Sequence, residues 1–258
     1  MKITILGTGT SCGVPVIGCR CPVCSSNDPR DKRLRCSILV ETARTRLLID
    51  SGPDFRQQIL PQRFRKIDGI LITHSHYDHV GGLDDIRPYC KFGQINVYAD
   101  PISHDEMIKM LPYCFAENRY PGVPRIELHT INAGEQFSIG DIDIMPVRVN
   151  HGKLPILAFR FGDFAYITDM KSIDDDQLPL LDGVDTMIVN ALRFDNPHHS
   201  HQLVADAVAF ANRLNVRRTL LTHVCHDIGL HSDVNGGMLP MGVELAYDGQ
   251  VLNLRNRK

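Results

Sequence analysis

The sequence predicts an α/β fold in which two mixed β-sheets pack face to face with helices on the outside. A pattern of three short strands followed by a helix occurs twice along the chain. Only a short turn separates the second predicted strand from the third, and such antiparallel pairing does not suit a doubly wound parallel sheet. The 258 residues, 43% of them hydrophobic, can bury one sizeable core. Because no low-complexity linker interrupts them, we expect a single domain over residues 1–258.

The first half of the chain alternates apolar strands with polar turns and short helices. Strands are predicted at residues 2–6, 36–41, 46–50, 69–73 and 95–98, and helices at 54–60, 83–89 and 103–111. Ser103, with Glu106 three residues later, is typical of a capping box and predicts Ser103 as the N-cap of the last helix. The following stretch, 112–124, is rich in proline and aromatic residues, which indicates either a lid that faces the substrate or an ordered surface loop.

The second half repeats the alternation. Strands are predicted at 126–131, 136–139, 142–149, 156–161, 164–168, 186–189 and 218–221, and an amphipathic helix at 202–214. Gly162-Asp163 predicts a hairpin turn, and a second hairpin around Asp248-Gly249 is expected to close the chain.

Composition and charge exclude several classes of function. The net charge is −2, so no overall positive potential favours a large nucleic acid as partner. No apolar run approaches the roughly 18 residues of a membrane span, and residues 1–7 predict a strand, not a signal peptide. The eight cysteines are too few and too clustered for a disulfide scaffold, which indicates metal binding and a cytoplasmic location. A local basic cluster, Arg30 to Arg35, is either a solvated loop or a phosphate-binding loop.

The most informative stretch is His74-Ser75-His76-Tyr77-Asp78-His79, which directly follows a predicted buried strand. In an extended segment, residues two apart point the same way, so His74 and His76 can face one point in space. If the chain then bends, Asp78 and His79 can face a second point, and we expect Gly81-Gly82 to supply the conformational freedom for that bend. Imidazole and carboxylate ligands together fit Zn, Mn or Fe.

A second group of metal-binding residue types lies near the amino terminus. Cys19, Cys21 and Cys24 place three thiols within six residues, and three thiols can converge on one tetrahedral zinc that takes a fourth ligand from elsewhere. Three unrelated buried thiols are the alternative. A redox pair is disfavoured because the C-x-x-C does not stand in a thioredoxin-like βαβ pattern.

Acidic or imidazole side chains lie at or after six of the predicted strand ends. Beside the His74–His79 run, these residues are Asp50, His151, Asp169, His201 and His223. Functional residues are commonly held at strand ends by a rigid scaffold, so we expect these side chains to converge.

This set of motifs resembles the metallo-β-lactamase superfamily over nearly the whole chain. The resemblance implies a four-layer αββα sandwich with two metal ions in its active site. It implies that His74, His76 and His151 hold the first metal, that Asp78, His79 and His223 hold the second, and that Asp169 bridges them. Asp50 matches a carboxylate that orients a ligand without binding metal itself.

The cysteine cluster with the Asp28–Arg35 segment is similar to the cyclic ribose phosphate phosphodiesterases of the carbon–phosphorus lyase pathway. That resemblance implies a zinc-binding insertion near residues 18–35, with a structural Zn held by Cys19, Cys21, Cys24 and His226. It also implies that His201 lies over the substrate phosphate, with His198 and His199 at the surface or behind it. The same cluster occurs in a relative from pyrroloquinoline quinone biosynthesis, so it does not decide the substrate.

The expected function is therefore that of a metal-dependent phosphodiesterase. Two divalent ions, Zn or Mn, would activate a hydroxide that attacks phosphorus, with His201 as general acid and Asp78 orienting the nucleophile. The expected substrate is a small cyclic, ribose-type or nucleotide-like phosphodiester, and the resemblance suggests a homodimer.

Two alternatives stay open. One is hydrolysis of a carbonyl centre, as in thioesterases or lactonases. The other is a non-hydrolytic role in cofactor biosynthesis or di-iron redox chemistry. Di-iron redox chemistry is disfavoured because a carboxylate would be expected where His76 stands, together with a flavin domain.

Overall fold

A computed structural model describes residues 1–254 and confirms the two mixed sheets of the predicted sandwich. In this part of the chain each sheet has seven strands. The first sheet contains β1 (Lys2–Gly7), β2 (Ser37–Glu41), β3 (Arg46–Ile49), β4 (Gly69–Leu71), β5 (Ile95–Ala99), β6 (Ile126–Thr130) and β14 (Val251–Asn253). Its strand order is β14-β1-β2-β3-β4-β5-β6, antiparallel from β14 to β3 and parallel from β3 to β6.

The second sheet is built from the other half of the chain. It contains β7 (Phe137–Ile139), β8 (Ile142–His151), β9 (Leu154–Phe161), β10 (Phe164–Ile167), β11 (Thr186–Asn190), β12 (Arg218–Thr222) and β13 (Val243–Leu245). Its strand order runs from β13 back to β7, and the four strands from β10 to β13 are parallel. Parallel strands carry their carboxyl ends to one edge of a sheet, so the segments after β3, β4, β10 and β12 can meet.

The helices are mostly short. The α-helices are α1 (Pro22–Ser25), α2 (Phe55–Ile59), α3 (Tyr77–Val80), α4 (Pro101–Met110), α5 (Pro112–Phe115), α6 (Val204–Arg213) and α7 (His231–Asp233). Turns of 3₁₀-helix lie at Pro29–Asp31, Leu83–Phe92, Leu178–Leu181 and His226–Ile228, and a π-helical turn lies at Val234–Met238. Among residues 1–254, no helix is long and apolar enough to cross a membrane.

Side chains alternate between two apolar layers along each strand. Leu47 and Ile49 of β3 pack between the sheets, against residues such as Phe159 and Tyr166 of the second sheet. Leu48, which points the opposite way, joins the layer between the first sheet and its helices. A third cluster covers the outer face of the second sheet. This period of two produces the layers of the sandwich.

Two local predictions are wrong for identifiable reasons. The N-cap of α4 is Asp100, whose carboxylate accepts a hydrogen bond from the Ser103 backbone N–H, because Pro101 takes the first helical position. The predicted closing hairpin around Asp248-Gly249 does not form. Strand β13 pairs with β12 in the second sheet, whereas β14 crosses to pair with β1 in the first.

The basic cluster at Arg30–Arg35 is only partly solvated. Arg33 is 2% exposed and donates to Thr8 Oγ1 and the Ala246 carbonyl oxygen. Arg30 pairs with Asp28 within the same segment, and Arg35 pairs with Asp54. The contacts of Arg33 and Arg35 anchor the 18–35 segment onto the rest of the protein.

Glycines allow the segments after β3 and β4 to pack directly against each other. The Ser51 N–H donates to the His79 carbonyl oxygen at 2.7 Å, and the Gly82 N–H donates to the Ser51 carbonyl oxygen at 2.8 Å. A Cβ atom at Gly82 would overlap the Gly52 carbonyl oxygen. The φ angles of Gly81 and Gly82 are −62° and −98°, so the expected conformational freedom is not what these positions need. Close approach is the requirement.

Candidate metal centre

The segments after five strands bring the predicted ligands together at one edge of the sandwich. Among the described residues, nitrogen and carboxylate oxygen atoms that lie within 4.8 Å of one another form three groups. The first is His74, His76 and His151; the second is Asp78, His79, Asp169 and His223; the third is His151, Asp169 and His201. Every residue that the sequence suggested for the two active-site metals is therefore in a position to bind one. The assignment of ligands to individual metals stays a prediction.

The first group offers three imidazole nitrogens. His74 Nε2 lies 3.0 Å from His76 Nδ1. His151 Nδ1 lies 2.7 Å from the Asp169 carbonyl oxygen and 3.0 Å from that of Ser200, so its N–H is used by the backbone. The lone pair of His151 Nε2 is thereby left free to bind a cation.

The second group is oriented by Asp50. This buried carboxylate lies 2.7 Å from His79 Nδ1 and accepts hydrogen bonds from the Thr73 N–H and hydroxyl. His79 Nε2 then faces Asp169 at 3.2 Å and Asp78 at 3.3 Å. A carboxylate that holds the far nitrogen of a histidine is the usual partner of a metal ligand, and it directs the ligand's other nitrogen.

Several buried nitrogen atoms fit a bound cation. His79 Nε2, His201 Nδ1 and both ring nitrogens of His223 are buried without a well-formed hydrogen bond among residues 1–254. Leaving such a group unpaired costs about 1–3 kcal/mol. Nitrogen and carboxylate donors in this arrangement suit divalent Zn, Mn or Fe. The residues present therefore fit the metals that the sequence suggested.

The backbone is strained at three of these positions. Asp50, Asp169 and His223 have φ angles of 60°, 58° and 52°. Residues other than glycine rarely adopt this left-handed region, which persists where surrounding contacts enforce it. Each of the three follows a strand directly or by one residue, so the strain turns the side chain at the sheet edge.

Ion pairs within the second group shift its titration. Burial lowers the pKa of His223, but Asp169, 3.0 Å away, outweighs burial and raises it to about 9. Burial likewise raises the pKa of Asp169, yet His223 and His79 hold it well below its ordinary value. In the absence of metal the carboxylates thus retain protons on the imidazoles. Cation binding must displace those protons.

His201 lies where the two ligand groups meet. Its Nδ1 is 3.8 Å from Asp169 Oδ1, and its ring centroid is 4.7 Å from those of His151 and His223. Burial, followed by the charge of His223, lowers the pKa of His201 to about 3. Of its neighbours, His198 is half-buried and stacks on the His201 ring at 4.9 Å, whereas His199 is exposed.

The cysteine cluster forms a separate site. Sγ of Cys19, Cys21 and Cys24 lies 3.2, 3.4 and 3.5 Å from His226 Nδ1. A tetrahedral zinc with ordinary Zn–S and Zn–N bonds separates sulfur and nitrogen ligands by about 3.5 Å. The Cys24 backbone N–H donates to Cys21 Sγ and lowers the pKa of that thiol to about 6, which favours the thiolate that binds metal. All four predicted ligands are therefore close enough to share one ion.

The cysteine site and the second ligand group are joined by one short segment. His226 follows His223 by three residues, and Val224 lies between them. The Val224 N–H donates to the Thr8 carbonyl oxygen, and the Val224 carbonyl oxygen accepts from the Thr10 N–H. Thr8 and Thr10 belong to the loop of residues 8–13 after β1, which we call the Gly-rich loop. An ion bound by the cysteines would therefore restrain the loop that carries His223.

The sequence indicated Asp50 as a residue that orients a predicted ligand, but it did not indicate the residues that hold Asp50, Asp169 and His151. Thr73 binds Asp50, and the Thr168 hydroxyl donates to Asp169 Oδ2 at 2.6 Å. Both threonines end an apolar strand immediately before a ligand, and that position was the available signal. The carbonyl of Ser200 had no such signal.

Comparisons with known proteins agree with this geometry. The family model described as "Beta-lactamase superfamily domain" matches residues 45–224. A solved structure described as a new diphosphatase from the PhnP family is 38% identical, covers 98% of both chains and superposes with a TM-score of 0.90. Zn²⁺-bound PqqB from Methylobacterium extorquens has a TM-score of 0.77 over 98% of this chain and all of its own, but at 19% identity it shows the fold alone.

Curated relatives are longer than this chain. A Porphyromonas gingivalis protein named octanoyltransferase is 40% identical over 250 residues, which are 96% of this chain and 51% of that protein. A ribonuclease Z from Bradyrhizobium diazoefficiens is 33% identical over 132 residues, 48% of this chain and 43% of the enzyme. The chain thus spans about half the length of the curated relatives it matches.

We expect the metal-free protein to lose stability as the pH rises from about 6.5 to beyond 9. A His223 pKa raised from 6.5 to about 9 means that folding tightens proton binding. That contribution is fully present below 6.5 and is lost as the pH rises through about 9. Bound metal takes the place of the His223 proton, so the stability of the metal-loaded protein should depend less on pH. Thermal unfolding of both forms across this range measures the difference, and an equal decrease in both would contradict it.

Replacing Cys21 with serine should weaken metal binding by the second ligand group, although Cys21 is not a member of that group. We expect Cys21→Ser to lose the structural metal and to bind metal at the active site about tenfold more weakly, because His223 is no longer restrained. Metal content and chelator competition measure both effects. Cys12→Ser, at an exposed thiol, is the matched control. Unchanged metal content and reaction rate in Cys21→Ser would refute the coupling.

Proposed function

The chain belongs to the metallo-β-lactamase superfamily, and from that membership we propose that it is a metal-dependent phosphodiesterase. One observation carries the proposal. The Asp169 carboxylate faces His79 through one oxygen at 3.2 Å and His223 through the other at 3.0 Å, while its own carbonyl oxygen binds His151 of the first ligand group. A carboxylate in this position suits two cations bound side by side.

The two ligand groups have distinct roles in this proposal. His74, His76 and His151 would hold one cation, Asp78, His79 and His223 the other, and Asp169 would lie between them. When bound, such a pair supplies an activated water as nucleophile and neutralises negative charge on the phosphoryl oxygens. Asp50 acts through His79, whose ring it orients.

His201 would supply the proton that the leaving alkoxide requires. It borders both ligand groups, and its buried Nδ1 has no hydrogen-bond partner among residues 1–254. In the free protein its low pKa keeps the ring neutral. A phosphodiester anion next to the ring would favour the protonated form and prepare it to act as general acid. Asp78 would orient the nucleophile.

We propose a small phosphodiester as the substrate, either cyclic and ribose-type or nucleotide-like. The 38% identical structure is described as a diphosphatase from the PhnP family, and a matched curated relative is named ribonuclease Z, which supports a phosphoryl substrate. In the same proposal the domain spans residues 1–258, and the segment near 18–35 is a zinc-binding insertion with Cys19, Cys21, Cys24 and His226 as ligands. Assembly as a homodimer stays a prediction.

Hydrolysis of a carbonyl centre is the second candidate. The relative named octanoyltransferase makes an acyl substrate relevant, because this chain matches half of that protein at 40% identity. The matched half need not be the one that gives the relative its name. A thioester or lactone would place a carbonyl carbon at the metals where the first proposal places phosphorus.

Turnover assays separate these candidates. We expect protein loaded with Mn²⁺ or Zn²⁺ to hydrolyse bis-p-nitrophenyl phosphate, and Asp169→Asn to lose at least about 100-fold in kcat because the group between the cations changes charge. Octanoyl thioester and lactone panels run in parallel. Absence of phosphodiester turnover in fully metal-loaded protein would sink the first candidate, and thioester turnover alone would establish the second.

A His201 variant tests the general-acid assignment. We expect His201→Ala to lower kcat by about 100-fold or more with an alkyl leaving group, which needs a proton. The loss should be much smaller with p-nitrophenolate, which leaves without one. His199→Ala, an exposed neighbour, is the control. Equal losses for both leaving groups would contradict the assignment.

A further inference from the structure

Tyr77 is exposed in the middle of the ligand run. It lies between His76 and Asp78, on the first turn of α3, and its side chain is 65% exposed, whereas Asp78 and His79 are buried. Its hydroxyl has no hydrogen bond, and its ring contacts no other aromatic ring, among residues 1–254. A single exposed aromatic residue needs no special explanation on most surfaces. This one stands beside His76, the exposed member of the first ligand group.

Gly81 holds the Tyr77 ring in place. A Cβ atom at Gly81 would lie 2.8 Å from both Cε2 and Cζ of the ring, closer than real contacts allow. The φ angle of Gly81 is −62°, an ordinary helical value that any residue adopts. The backbone conformation at position 81 therefore does not require glycine. Glycine is required because the Tyr77 ring and the Tyr77 carbonyl oxygen pack directly over its Cα atom and leave no room for a Cβ atom. The ring is seated on the helix and does not extend freely into water.

An aromatic ring that is already packed against the helix loses little conformational entropy when a ligand binds. An aromatic side chain has two rotatable χ angles, and contact with Gly81 already restricts them. Such a ring can stack on any flat group. Contact with a methyl or other small alkyl group contributes less binding free energy than this stacking does. Tyr77 is the residue between two predicted ligands, His76 and Asp78, and its exposed ring is therefore available to a substrate bound at this edge of the sandwich.

We infer that Tyr77 contacts the substrate by stacking on a flat group in the part of the substrate that stays attached to phosphorus when the leaving group departs, and that the preferred substrates are nucleotide-like phosphodiesters. This inference rests on the proposed function for its reacting centre. It narrows the substrate class, because a purely aliphatic cyclic ribose phosphate would leave the ring without a partner. Tyr77 is a specificity residue, so its removal affects ground-state binding more than chemistry.

Binding of thymidine 5′-monophosphate and of methyl phosphate to metal-loaded protein tests the inference without turnover. Base–aromatic stacking is worth about 1–3 kcal/mol. We therefore expect Tyr77→Ala to raise the Kd of thymidine 5′-monophosphate about tenfold and to leave that of methyl phosphate within twofold. Tyr77→Phe should bind both ligands about as wild type does, because the ring is retained.

The kinetic counterpart uses thymidine 5′-p-nitrophenyl phosphate against methyl p-nitrophenyl phosphate, which share a leaving group. In Tyr77→Ala, the KM of the thymidine ester should rise about tenfold relative to that of the methyl ester, with kcat within about twofold. Leu60→Ala, at a residue 64% exposed at the end of α2, is the control for loss of an exposed apolar side chain and should change neither constant.

The outcomes separate this inference from the proposed function. Equal losses for both ligands, a Tyr77→Phe variant as weak as Tyr77→Ala, or no binding of thymidine 5′-monophosphate to the wild type would overturn the role of Tyr77. If the wild type hydrolyses no phosphodiester while Tyr77→Ala still weakens nucleotide binding selectively, the proposed reaction is wrong and the stacking contact stands.

Discussion

The buried carboxylate of Asp169 is the interaction on which the rest of the site depends. One side-chain oxygen is 3.0 Å from His223, and the other accepts the Thr168 hydroxyl and faces His79. Its backbone carbonyl oxygen binds His151. A single residue thus positions ligands of both groups, one through its main chain and the others through its side chain. An ion buried this deeply is tolerated only with such close partners, because desolvation costs several kcal/mol.

This arrangement is accompanied by backbone strain at the edge of the sheets. Asp169 and His223 follow β10 and β12, which flank β11 in a parallel register, and Asp50 follows β3 next to β4. The strands bring the three residues to the same edge of the sandwich, where each adopts a left-handed φ angle. Such a conformation costs about 1–3 kcal/mol at a residue other than glycine. A rigid parallel sheet supplies the contacts that hold this strain.

The layered fold and the candidate site residues could be predicted from the sequence because both follow local patterns. Strands with a period of two define the layers, and a histidine or aspartate after a strand marks the site edge. The division of these residues into two ligand sets is implied by the resemblance to the metallo-β-lactamase superfamily and not by the pattern. The predictions that failed depend on contacts between residues far apart in the sequence. Gly82 serves a close approach to Gly52, 30 residues earlier, which no local pattern encodes. Strand β14 leaves its sequence neighbour to pair with β1, and the buried Arg33 donates to the carbonyl oxygen of Ala246, 213 positions away.

The buried contacts of Arg33 connect the 18–35 segment, which contains the three clustered cysteines, to the loop that carries His223. Its guanidinium donates to Thr8 Oγ1, which in turn donates to Asp248 Oδ1 at 2.7 Å. The Thr8 carbonyl oxygen accepts the N–H of Val224, the residue after His223. The insertion therefore reaches the loop of His223 by two routes, through His226 at the cysteine site and through Thr8 in the Gly-rich loop. A strained residue such as His223 is held in one geometry only if its loop cannot relax, and two anchors, at Val224 and at His226, provide that constraint.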